Sequence, residues 1–166
     1  MINLIAAIDA NFVIGIKNKL PWHFKEDLLF FKKKTFQKNV IMGYKTYLSL
    51  TKYYGSKPFS FKNIYVACSS QNKLFHKNII IIPELKYFLQ QYRKCKEEIF
   101  VIGGGMIFHQ AIPYVEIMYL THILARYEGD CFFPYFIYSH YKIKEKKVEN
   151  KLIFVTYQKI KEKNYV

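Results

Sequence analysis

The stretch Ile2 to Ile8 is β-branched and alanine-rich, and it is bounded by Asp9, Ala10 and Asn11. Seven residues are too few for a buried helix, and apolar side chains at nearly every position leave no face for water. This reads as a strand lying centrally in a sheet that is covered on both sides. That requirement constrains the rest of the chain, because helices must supply both covers.

The remaining sequence alternates accordingly. From Asn11 to Phe24 the pattern breaks up around Gly15, Asn18 and Pro21-Trp22, which predicts a long irregular, mobile loop of the kind that carries function. Lys25 to Thr35 returns to helical spacing and ends in Lys32, Lys33 and Lys34, where cations suit the helix dipole. Further strands are predicted at Asn39 to Gly43, Asn63 to Cys68, Asn78 to Ile82, Glu98 to Ile102 and Val115 to Leu124. Helices are predicted at Tyr44 to Leu50, at Glu84 to Lys96, and from the glycine turn up to Pro113. Tyr141 to Val148 and Leu152 to Ile160 flank Glu149-Asn150, the pattern of a closing hairpin. The fold class is therefore α/β: one domain over residues 1 to 166, with right-handed crossovers, a mostly parallel sheet and an antiparallel edge.

Composition narrows the function less. The formal charge of +14 attracts anions in general, but the excess is lysine spread through the chain, with only Arg93 and Arg126 as arginines. Fifteen tyrosines and fifteen phenylalanines are scattered in the manner of core packing rather than base stacking. A nucleic-acid-binding domain is thus a minor alternative. Cys68, Cys95 and Cys131 have no paired spacing and read as reduced, small core residues. The five histidines form no HExxH pair and no serine sits in a GxSxG elbow, so zinc and hydrolase readings fall away and no metal is expected. The apolar start is too short to span a membrane, which predicts a cytoplasmic protein.

Two features carry chemistry. Asp27 stands in a first helical turn beside Leu28 and Phe31, and an acid among apolar neighbours is either a wet helix-start charge or a buried functional group. Gly103-Gly104-Gly105 ends a buried strand and opens a helix, so its amides can approach a phosphate, or it is a tight turn only. Thr46, following Gly43 after another strand, offers a second phosphate donor. On the residues alone the chain is a nucleotide-binding α/β domain with one candidate buried acid.

The ordered motifs LIAAI, IGIKNKLPW, KEDLLFFK, VIMGYKTY, IFVIGGG, YLTHI and EGDCFFP span almost the whole chain and resemble dihydrofolate reductase. The resemblance implies an eight-stranded mixed sheet with four helices, a loop over the site at residues 9 to 24, NADPH as hydride donor, and reduction of 7,8-dihydrofolate to tetrahydrofolate. It implies Asp27 as the acid on the pterin, with Trp22 and Thr121 holding a water and that acid, and Leu20 in the closing loop. Ile5, Ala6, Leu28, Phe31, Leu50 and Ile102 match the apolar slot. Ala7 and Ile14, Gly15, Ile16, Lys17, Asn18 and Lys19 match the nicotinamide side of the cofactor. Gly43, Thr46, Ile102, Gly103, Gly104, Gly105, Met106 and Ile107 match its pyrophosphate side, with the Gly103-Gly104 bond cis. A small single domain of this type is expected to act as a monomer and to bind antifolates.

The sequence also departs from the family. Tyr44 stands where many relatives place an arginine for the cofactor's extra phosphate, with Lys45, Ser69 or Ser70 as substitutes. Phe61 stands where an arginine clamps the substrate's glutamate, in a segment, residues 56 to 62, that matches poorly. Lys57 or Lys62 supply charge there without the two-pronged geometry of arginine, which predicts weaker tail affinity. The pyrimidine reductase of riboflavin synthesis, with the same architecture and cofactor, is the alternative that the lost clamp favours, while Asp27 and the Trp22 loop oppose it.

Overall fold

A computed structural model of the protein describes residues 1–69 and 78–161. In chain order the elements are β1 (Ile2–Ile8), β2 (Val13–Gly15), α1 (Lys25–Thr35), β3 (Asn39–Gly43), α2 (Tyr44–Tyr54), β4 (Ile64–Ala67) and β5 (Ile79–Ile82). They continue with α3 (Leu85–Tyr92), β6 (Ile99–Val101), α4 (Gly105–Ala111), β7 (Ile117–Ile123), β8 (Cys131–Phe132), β9 (Tyr141–Glu149) and β10 (Leu152–Lys159). Eight strands form one sheet in the order β5-β4-β3-β6-β1-β7-β10-β9. Every pairing from β5 to β7 is parallel, and the two pairings made by β10 are antiparallel. The mixed sheet and four α-helices agree with the expected class.

Side-chain alternation explains how both faces are filled. Ile2, Leu4, Ile8, Ile41, Ile99 and Val101 point into one cluster with Leu85, Leu89 and Phe108, so α3 and α4 cover that face. Ile5, Val40, Met42 and Phe100 enter another cluster with Tyr47, Phe31 and Leu50, from α2 and α1. At about 25 cal/mol per Å² of apolar surface removed from water, such clusters are the main stabilising contribution. The outer strand β9 is exposed from Lys142 to Val148, and the hairpin turns at Asn150 with φ +54°.

Several boundaries differ from expectation. The loop at residues 11 to 24 is not wholly irregular, because β2 within it pairs with β8 in a separate two-stranded sheet. Helix α2 runs on to Tyr54 instead of stopping at Leu50, and Gly55, with φ +57°, takes up the left-handed conformation that ends it. Helix α3 is shorter than predicted, since the residues after Tyr92 break into turns. Of the cysteines, only Cys68 is a core residue; Cys95 is exposed and Cys131 half-buried.

Candidate active site

The carboxyl ends of β3, β6, β1 and β7 lie side by side, and the loop after β1, the start of α2 and the start of α4 all leave the sheet there. In open α/β sheets this border is where ligands bind. Asp27 sits in the first turn of α1 with Glu26, a position the helix dipole favours for acids, and no side chain caps this helix start. It is half-buried. Burial pushes its pKa above the ordinary carboxylate value, and a hydrogen bond with the Thr121 side chain offsets part of that rise. Thr121 is buried on β7, in register with Ala7 of β1 and Phe154 of β10.

Trp22 is buried against Tyr127, ring edge to face at 5.3 Å. Its indole N–H meets no acceptor among the described residues, so this donor is suited to a water or a ligand atom. Ile5, Phe31, Leu50 and Ile102 belong to a single apolar cluster between α1, α2 and the sheet. Ala6 and Leu28 are half-buried as well. Helix α1 buries only Thr35 fully, so the apolar residues on its sheet side stay partly open, as the wall of a slot must. Leu20 is 52% exposed in the loop.

Just beyond the neighbouring strand β6, the Gly103-Gly104 peptide bond is cis and Gly103 has φ +116°. The Gly43 N–H donates to the Gly103 carbonyl at 2.8 Å, tying the two strand ends together. A methyl group on Gly104 would stand 3.3 Å from the Thr46 hydroxyl oxygen, and one on Gly105 would stand 2.9 Å from Cys131 Sγ. Side chains are thus excluded where α2 and α4 begin, and the bare backbone is presented instead. Beside it an open groove of about 550 Å³ is lined by Tyr44, Ser69, Glu84, Met106, Ile107 and Gln110, among others. Lys45 is exposed at the start of α2, and Ser70 lies outside the described residues.

The loop over this border is fastened by contacts the sequence did not disclose. Ile16 and Lys19 exchange backbone hydrogen bonds of 2.9 Å around Lys17 and Asn18, both with positive φ. The Lys17 N–H donates to the Asp130 carboxylate at 3.0 Å, and the Ser49 hydroxyl donates to the Asn18 carbonyl at 2.7 Å. At the loop's base, Asp9 accepts from the N–H groups of Asn11, Val13 and Tyr127. Ala7, Ile14 and Gly15 are half-buried beneath this turn. Phe61 is buried in an aromatic stack, and among the described residues no three His, Cys, Asp or Glu side chains group to hold a metal ion.

The dihydrofolate reductase family profile matches residues 1–159. The chain belongs to the dihydrofolate reductase family. It is 40% identical over 157 residues to the dihydrofolate reductase of Buchnera aphidicola subsp. Acyrthosiphon pisum (strain APS), covering 91% of each chain. It is 37% identical over 143 residues to that of Bacillus subtilis (strain 168), covering 86% of this chain and 81% of the relative. A solved dihydrofolate reductase from Enterococcus faecalis, complexed with NADP(H) and RAB-propyl, superposes with a TM-score of 0.81 at 28% identity over 96% of both chains.

Proposed function

We propose that the protein reduces 7,8-dihydrofolate to 5,6,7,8-tetrahydrofolate with NADPH. The observation that carries this reading is the partly buried Asp27, bonded to Thr121, across β1 from a glycine turn cleared of side chains. The E. faecalis relative, solved with NADP(H) and a second ligand, supports the same pairing of cofactor with substrate or antifolate.

Asp27 binds the amidine edge of the pterin, where a carboxylate accepts two parallel N–H bonds. Its raised pKa keeps a proton available closer to neutrality, and Trp22 and Thr121 hold the acid and a water so that the ring is protonated where the reaction needs it. Ile5, Ala6, Leu28, Phe31, Leu50 and Ile102 enclose the flat rings and exclude bulk water. The backbone of Gly43 and of Gly103 to Gly105, with Thr46, holds the pyrophosphate, and Met106, Ile107 and Ser69 line the groove beyond. Ala7 and residues 14 to 19 cover the nicotinamide side, with Leu20 following in the loop, while Lys45 supplies charge near the ribose phosphate. Bound NADPH supplies the hydride for the ring carbon next to the protonated nitrogen.

The whole chain acts as one reductase unit, since β1 and β10 flank β7 in one sheet. Free cysteines suit a reducing, cytoplasmic setting, and no described helix is long and apolar enough to cross a membrane. Family membership favours this reaction over the pyrimidine-reductase and nucleic-acid readings. The test is to mix protein, NADPH and dihydrofolate and follow cofactor absorbance. Turnover is expected, and its absence overturns the proposal. Asp27→Asn should lose at least about 100-fold near neutral pH and recover in part as the medium is acidified, because solution then protonates the substrate.

A further inference from the structure

Between α1, α2 and the amino end of β4, a series of aromatic rings continues away from Asp27. Phe31 meets Phe61 at 6.4 Å, edge to face; Phe61 stacks on Phe59 at 5.7 Å with 17° between planes; Phe59 meets Tyr54 at 4.9 Å. Phe61 is only 7% exposed. This wall offers rings and no charged fork, because Phe61 presents a buried ring and no paired N–H donors with which to grip a carboxylate. The chain's two arginines lie elsewhere. Arg93 follows α3, on the opposite face of the sheet, and Arg126 follows β7. The cations carried here are exposed lysines, Lys32 on α1, Lys52 on α2 and Lys57 after it, while Lys62 is paired with Glu97 at 3.2 Å.

Resting on the reductase reading, we infer that Phe61, with Phe59, makes this enzyme read its substrate by flat rings and leaves the acidic tail almost unread. Its substrate class is therefore 7,8-dihydropterins bearing a para-aminobenzoyl arm, with or without a glutamate joined to it. A fixed arginine-carboxylate pair contributes about 10- to 100-fold to binding. Exposed lysines contribute less than about fivefold, and salt screens what they contribute.

The test compares kcat/KM for 7,8-dihydrofolate and 7,8-dihydropteroate, which lacks the glutamate, at low and high salt with saturating NADPH. The two values should agree within about fivefold at low salt and converge at high salt. A preference for dihydrofolate above about 30-fold that persists in high salt overturns the inference and leaves the reductase reading intact. No turnover of either substrate defeats the reductase reading itself. Phe61→Leu should raise KM for both substrates by a common factor of about ten, with kcat largely kept. An unchanged KM, or an effect confined to dihydrofolate, removes Phe61 from this role.

Discussion

At the scale of single residues, the decisive group is an acid in conflict with its surroundings. Asp27 gains little from the protein while it is ionised, since burial outweighs the Thr121 hydrogen bond. Its folded pKa therefore lies above the unfolded one, so the folded state holds the proton more tightly. The stability this brings is complete below the unfolded pKa of an ordinary aspartate and is lost as pH rises through the folded value. Asp27→Asn, which never ionises, should melt a few degrees higher than the wild type at pH 7, about what 1 kcal/mol does in a chain of this size. The gap should close as pH falls below the ordinary aspartate value, where the native carboxyl is protonated as well; equal melting curves at pH 7 would mean the carboxylate is not strained by its site. Much of this was legible in advance, because an acid on the same helical side as Leu28 and Phe31 already stands out. Asp130 and Ser49 were not, because their loop contacts span 113 and 31 residues, and no local pattern encodes a meeting at such separations.

At the scale of elements, local periodicity was a sound guide wherever a segment's neighbours agree with it. Helix α1 and strand β1 occupy the residues that spacing predicts, and the terminal hairpin forms about Asn150. The pair β2 and β8 was invisible, because strands of three and two residues carry no readable alternation and exist only by meeting each other. Helix α2 exceeds its predicted length because Thr51 to Tyr54 are held by one more turn before Gly55. The small sheet depends on close backbone approach: a methyl on Gly129 would fall 2.2 Å from Val13 Cγ1 and 2.9 Å from the Gly15 carbonyl oxygen. Gly129→Ala should therefore push β8 from β2 and cost about 1–3 kcal/mol, with a raised KM for NADPH as the loop loses its seat. Thermal unfolding together with cofactor titration checks this, and wild-type values in both would show that the contact yields freely.

At the scale of the whole molecule, the sequence shows lysines spread through the chain, and the strand order adds that four of them stand on the outermost strand. Strand β9 is last in that order and carries Lys142, Lys144, Lys146 and Lys147 with exposed Ile143 and Val148. One row of its N–H and C=O groups has no neighbouring strand among the described residues. Such a border is a template on which a second copy can zip itself in register, and apolar side chains there would reward it. The four lysines there, offset only in part by Glu145 and by Glu149, which pairs with Lys147, would set a net positive charge against its like when two copies approach and so oppose that growth. Replacing the four lysines with threonine should leave melting within a few degrees while light scattering rises steeply with protein concentration. The chain thus spends part of its positive charge on refusing its own kind.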